Sequence, residues 1–311
     1  MDLRQLQIFR RIVEEGSFSR AAAALGITQP ALSRQVRALE EELGMPLLYR
    51  HGRGVVPTVE GQRFAASLGP VLEELARIRD EAMSARGVAR GRLRLAMPPS
   101  VAAAMAPPLW RHLRAHMPEV ELHLMDGFTG TLHEWLARGE VDIAVLNTSR
   151  SSPTVQTEPF FDAHLFLIHR PGDPQVLPLL TPEGEITLSD AAKLPLLLPG
   201  RHHGARREIE AALTVSGLAA PHVEDVDSLA GLMSLIAEGF GSTLLARDAV
   251  AAEVGAGLLA AAKVREPVLL HRFVLATSSE RPVTPAARAV IRFLQEEAGR
   301  RITAGSLAGS L

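Results

Sequence analysis

The chain has 311 residues, 47% hydrophobic and 22% charged, which suits about two globular domains with ample core and argues against a disordered chain. It has no cysteine, which excludes disulfides and thiolate metal sites, and its net charge of −2 gives no bulk attraction to nucleic acid. The N-terminus MDLRQLQIFRRIVEEG lacks the apolar core of an export signal, and no stretch nears the ~18 apolar residues of a membrane span; a soluble cytoplasmic protein with no membrane partner is expected.

Residues 1–60 hold eight Arg against seven Asp and Glu, so any case for nucleic acid rests on where the arginines lie. Leu3, Leu6, Phe9 and Val13 recur at helical spacing up to Gly16. Ser17 can cap a short second helix, SFSRAAAALG, closed by Gly26. After Ile27, Thr28 can cap a third helix with Pro30 in its first turn. In that helix Leu32, Val36, Leu39 and Leu43 form an apolar stripe, with Gln29, Ser33, Arg34 and Arg37 opposite and the acidic Glu40, Glu41 and Glu42 at the far end. A short helix, a tight turn and a helix with polar groups on its early turns is a helix-turn-helix pattern. Arginine can grip guanine and glutamine can grip adenine in the major groove. The plainer alternative is the solvated face of an ordinary helical bundle. MPLLYRHGRGVVPT then reads as a small hairpin with Arg50 and Arg53 at its tip, a basic wing able to contact phosphate or enter the minor groove.

Here a resemblance becomes specific. GSFSRAAAALGITQPALSRQVRALEEELGMPLLYRHGRGVVPTVEG resembles the DNA-binding motif of LysR-type transcriptional regulators, whose Ser-Gln-Pro-Ala-Leu-Ser-Arg-Gln pattern appears as Thr28 to Gln35 with Thr as the cap. The resemblance implies a winged helix-turn-helix over 1–58 that binds double-stranded DNA through Gln29, Pro30, Ser33, Arg34, Arg37, Arg50, Arg53 and Thr58.

Residues 59–89 read as a long linker helix of about 43 Å at ~1.5 Å per residue. Phe64, Leu68, Val71, Leu75, Ile78 and Ala82 step by four and three, a heptad seam suited to self-association, although packing on the protein's own domains is an alternative. Gly69-Pro70 should kink or break it. In the LysR-type family such helices pair antiparallel, and the resemblance implies a dimer or tetramer.

From residue 90 the pattern is that of an α/β domain: RLRLAMP, VELHLMD, VDIAVLN, AHLFLIH, LPLLLPG, PHVEDV, GSTLLAR and HRFVLATS read as strands separated by helices. Strands at 92–97 and 268–276 are expected in one subdomain that the chain leaves and re-enters, giving lobe I (about 90–160 and 267–303) and lobe II (about 161–266). The expected fold class is thus α/β overall, with an all-α winged helix-turn-helix, a linker helix and a two-lobed effector domain resembling periplasmic binding proteins. RGEVDIAV and the stretch Glu238-Gly239-Phe240-Gly241 resemble signatures of the LysR effector domain, with Ala246 where many relatives have proline. GVVPT, LLLPG and VEDVDSLAGLMSLIAEGFG look similar to the nitrogen-assimilation-control branch.

Ligands of open α/β sheets sit beyond the carboxyl ends of strands, near helix N-termini. Those positions are Ser100, Phe128, Thr129, Asn147, Thr148 and His202, suited to a small organic anion such as a carboxylate. In the resemblance Ser100 and Thr129 match carboxylate-gripping positions; taken singly, each residue is equally well a cap or turn former. Gly255 to Ala260 fits G-x-G-x-x-A but follows a helix rather than a strand, and reads as chance. His112 and His116 have metal-capable spacing without an evident third ligand, and His202-His203 reads as a cleft-lining loop. No G-x-S-x-G elbow or P-loop appears, so neither an enzyme nor a cofactor is expected.

The expected function is a DNA-binding transcriptional regulator controlled by a small-molecule effector, with RNA polymerase as a further implied partner. The alternatives are an effector-independent regulator with a vestigial cleft, and a small-molecule-binding enzyme with an accessory DNA domain.

Overall fold

The computed structural model describes residues 1–51, 54–84, 90–147, 153–201, 203–219, 222–305 and 307–310. Backbone contacts divide the chain into two units, Met1–Arg86 and Gly87–Leu311.

In the first unit, α1 (Leu3–Glu15), α2 (Phe18–Leu25) and α3 (Gln29–Leu43) start at Asp2, Ser17 and Thr28, whose side chains accept hydrogen bonds from Gln5, Arg20 and Ala31 N–H groups. Each helix ends at a left-handed glycine, Gly16, Gly26 or Gly44, so both ends of every helix are closed locally. β1 (Leu48–His51) and β2 (Gly54–Pro57) pair antiparallel with Tyr49 opposite Val56. Ile8, Phe9, Ile12, Leu32, Val36, Leu39, Leu47 and Val55 form the core.

The linker helix α4 (Val59–Ser84) runs as one helix through Gly69 and Pro70, so of the kink or break expected there the break does not occur. Its seam is divided. Leu68 and Leu72 are buried in the winged-helix core, and the Phe64 ring lies 5.5 Å from that of Phe9. Leu72, rather than Val71, turns inward, because a helix packed on its own domain follows the 3.6-residue period. On the outward face Val71, Leu75 and Ile78 are 52%, 42% and 50% exposed, an apolar strip at a spacing of four and three. The Ala82 side chain lies outside the described residues.

The second unit contains, in order, β3 (Gly91–Met97), α5 (Pro99–His116), β4 (Val120–Asp126), α6 (Thr129–Arg138), β5 (Ile143–Asn147), β6 (Val155–His169), β7 (Glu185–Thr187), α7 (Leu188–Ala191), β8 (Leu196–Leu198), α8 (Gly204–Val215), β9 (Val223–Asp225), α9 (Leu229–Glu238), β10 (Thr243–Ala246), α10 (Ala251–Gly255), β11 (Ala260–Arg265), β12 (Leu270–Ser278), α11 (Pro285–Thr303) and β13 (Gly309–Ser310). In lobe I, β3 lies between β4 and β5 in parallel, and β12 returns antiparallel to β5. β6 is longer than the stretch read as a strand. It pairs with β12 up to His164 and with β10 and β11 from Leu165, so one continuous strand passes from lobe I into lobe II. The return passage lies between β11 and β12. Each lobe has its own core, around Leu95, Met105, Val145 and Leu294 in lobe I and around Leu167, Ile186, Ile209 and Val264 in lobe II.

β11, which the sequence did not suggest, is a strand of lobe II paired to β6 and β7. The Gly255-to-Ala260 stretch leads from α10 into this strand, the reverse of the strand-to-helix turn that a dinucleotide would need. His112 and His116 stack on each other at 4.6 Å, and His112 stacks on Phe293 at 4.0 Å, which gives both rings a packing role.

Candidate nucleic-acid interface and ligand cavity

α3 presents Gln29, Pro30, Arg34 and Arg37 to solvent, with Ser33 half-buried beside them. Arg34 and Arg37 make no hydrogen bond or ion pair among the described residues, whereas Arg10, Arg11 and Arg20 are held by Glu14 and Glu15. Two free guanidinium groups one turn apart on the exposed face of a helix are the donor arrangement suited to base edges and phosphates. Of the wing residues, Arg53 lies outside the described residues, as does the Arg50 side chain.

Thr58 is placed differently from the rest of the expected set. It is 1% exposed, donates to the Pro46 carbonyl at 2.9 Å and accepts from Gly61 N–H at 2.9 Å. Its hydroxyl closes the start of α4 and ties it to the hairpin. A Cβ on Gly61 would stand 2.0 Å from the Leu47 carbonyl, so only glycine lets α4 begin that close to β1. Glu40 does more than keep negative charge at the far end of α3: its carboxylate accepts from Leu47 and Leu48 N–H at 2.8 and 3.1 Å and fixes the wing to the helix. That role could not be read from an acidic run.

Within the second unit a cavity of about 100 Å³ lies between the lobes. Ser100, Phe128, Thr129 and Asn147 all line it from lobe I. Thr148 and His202 lie outside the described residues. The adjacent His203 lines the cavity from lobe II, together with Gly204, Asp227 and Thr243. Thr243 had no signal in the sequence beyond its place in a strand.

Three helices begin here. α5, α6 and α8 start after Pro98, Phe128 and His203, and none of these three residues supplies a side-chain cap. In α5 Pro99 has no N–H and Val101 N–H bonds the Pro98 carbonyl at 3.0 Å, which leaves Ser100 N–H, whereas the first-turn N–H groups of α6 and α8 have no partner within the helix; the positive ends of all three dipoles face one small volume. Across the cavity the Phe128 and His203 rings meet edge to face at 3.6 Å, and His203 Nε2 lies 3.1 Å from Asp227. A Cβ on Gly204 would stand 1.5 Å from Asn147 Nδ2, so α8 approaches lobe I as closely as its backbone allows. One turn on, Glu208 of α8 pairs with His271 of β12, a second bond between the lobes. Asn147, 4% exposed, accepts from the Thr129 hydroxyl at 2.7 Å through Oδ1, while its Nδ2 has no hydrogen-bond partner among the described residues. Such a site can hold a small acceptor-bearing molecule by backbone donors and one amide. Among the described residues no three potential metal ligands cluster, and no helix is long and apolar enough to cross a membrane.

Residues 3–62 match the bacterial regulatory helix-turn-helix protein, lysR family, and residues 86–299 match the LysR substrate binding domain. The chain is 30% identical over 295 residues to the nitrogen assimilation regulatory protein nac of Klebsiella aerogenes, covering 94% of each chain. It is 31% identical to the HTH-type transcriptional regulator BbuR of Bordetella bronchiseptica, covering 90% of this chain and 85% of the other. Among solved structures, the Corynebacterium glutamicum OxyR C206 mutant is similar with a TM-score of 0.71 and 26% identity, covering 97% of this chain and 94% of that one. The fold, the two matched domains and the relatives agree, and the chain belongs to the LysR family of transcriptional regulators, with a DNA-binding helix-turn-helix and an effector-binding domain.

Proposed function

We propose that this regulator is controlled by a small organic anion held in the cavity between its lobes, and that it works as a dimer or tetramer on specific operator sequences in the cytoplasm. The observation that carries the effector reading is the convergence of three helix N-termini without side-chain caps on a cavity lined by Asn147, whose Nδ2 has no hydrogen-bond partner among the described residues. Effector contacts are assigned to Ser100, Phe128, Thr129 and Asn147, joined by His203. Base and phosphate contacts are assigned to Gln29, Ser33, Arg34 and Arg37, with Pro30 shaping the turn and Arg50 and Arg53 on the wing. The exposed strip Val71, Leu75 and Ile78 supports self-association through the far half of α4. Contact with RNA polymerase rests on family membership. The relatives that the chain matches are named as transcriptional regulators, which supports a non-catalytic reading.

A ligand gripped by both lobes binds the closed arrangement better than an open one, which is what an effector must do to shift an equilibrium. The test is to map the DNA sites the chain occupies across its genome, then measure affinity for one of them with and without a panel of small organic acids. At least one acid should both stabilise the protein and change operator affinity. An operator affinity indifferent to every acid would favour the effector-independent regulator.

A further inference from the structure

We infer that Thr243 on β10 is the second-lobe anchor of the ligand, and that the cavity selects a short aliphatic monocarboxylate. This rests on the reading that the cavity holds the effector.

Thr243 is 1% exposed and lines the cavity, yet its hydroxyl has no hydrogen-bond partner among the described residues. Asn147 Nδ2 is in the same condition on the facing lobe. Buried polar atoms are nearly always satisfied, and valine would fill the Thr243 position without the penalty of a desolvated hydroxyl. The two orphans belong to residues that line one small cavity, one from each lobe, and we assign them to a bound molecule.

The hydrogen-bond directions fix the chemistry of that molecule. Thr129 donates to Asn147 Oδ1, so Asn147 offers the cavity only its N–H. The starts of α6 and α8, and Ser100 at the start of α5, also offer backbone N–H groups. These donors favour a head that accepts, and we assign one carboxylate oxygen to Asn147 and the other to the Thr243 hydroxyl. No described residue lining the cavity is Arg or Lys, and Asp227 already lines it. Val226, Leu229, Leu232 and Leu244 supply an apolar wall for a tail. At about 100 Å³ the cavity is below the ~300 Å³ at which sites for drug-sized ligands begin, which keeps the tail short.

The probes are sodium propionate and butyrate, with succinate and propionamide as controls, titrated into the full chain by thermal shift and calorimetry. Propionate should raise the melting temperature, and succinate and propionamide should not. Thr243→Val should weaken propionate at least tenfold while its ligand-free melting temperature is no lower than that of the wild type. A clear loss of ligand-free stability in Thr243→Val would make the hydroxyl a structural group and overturn the assignment. So would undiminished propionate binding by that variant, failure of both monocarboxylates, or equal binding of succinate. Arg150 lies outside the described residues, and an affinity that collapses in Arg150→Gln but not in Thr243→Val would give the head group to the arginine instead. Propionate that binds through Thr243 without altering operator affinity would keep this assignment and remove the sensor reading. An acid of another class that alters operator affinity would do the reverse.

Discussion

The two units treat the ends of their helices in opposite ways. In the winged-helix unit, α1, α2 and α3 are each closed by a side chain of their own, Asp2, Ser17 or Thr28, and what faces outward is side chains. Around the cavity, α5, α6 and α8 start at Pro98, Phe128 and His203 and are left without such caps. The difference is not a matter of lobe chemistry in general, since α9 and α11 of the same unit are capped by Ser228 and Thr284. A surface that reads DNA needs rigid helices carrying mobile side chains, whereas a site for a small anion uses the backbone itself.

The largest effect is expected where the first unit spends a charge on backbone closure. Glu40→Ala removes the acceptor of two N–H groups, and hydrogen bonds to a charged group contribute ~1.5–3 kcal/mol each. Urea denaturation should show a loss in that range at least, and an unchanged midpoint would mean that the wing holds without the clamp. In the cavity, Gly204→Ala places a methyl on the Asn147 amide, an overpacking cost of ~1–3 kcal/mol unless the lobes move apart. Solution scattering of the variant should report wider lobes or thermal melting a less stable domain; neither change would show that α8 is not pressed against lobe I. Arg34→Ala should lose ~1–3 kcal/mol of discrimination between operator and random DNA. Equal loss on both sequences would place Arg34 on phosphate.

Thr28→Ala should cost ~1 kcal/mol of stability in the first unit and leave effector affinity untouched. The smallest effect concerns pH. Burial holds the imidazole of His169 below its ordinary range, while its hydrogen bond to the Arg170 carbonyl and the nearby Asp173 oppose this. A depressed histidine stabilises the fold above the unfolded pKa of ~6.5, and that contribution is lost as pH falls through the folded value. The second unit should therefore soften first when melting is followed from pH 7.5 to 5.5, and His169→Gln should flatten that dependence; a slope unchanged by the substitution would assign it elsewhere.

Much of this was legible in the sequence because it depended on local pattern. The caps Ser17 and Thr28, the closing glycines and the apolar stripe of α3 follow from residue type and spacing, and so did the free Arg34 and Arg37. That Ser100, Phe128, Thr129 and Asn147 share one cavity was legible because each lies at or just past the carboxyl end of a strand. β11 was missed because AAAKVR has little β propensity and becomes a strand only by lying between β6 and β7. Thr243 and Glu40 were missed for a related reason. A threonine in a strand and a glutamate in an acidic run carry no sign of which tertiary neighbour will bury or engage them. The division of the α4 seam at Leu72 likewise depends on where the helix leaves its own core.

The contrast between closed and open helix ends is tested most directly by backbone amide exchange on the full chain, with and without saturating propionate. The account predicts new protection at the first-turn amides of α6 and α8, at Thr129, Gly130, Gly204 and Ala205, and none at the starts of α1, α2 and α3. Protection spread evenly over both sets of helix starts, or none at α6 and α8 while propionate is bound, would contradict it.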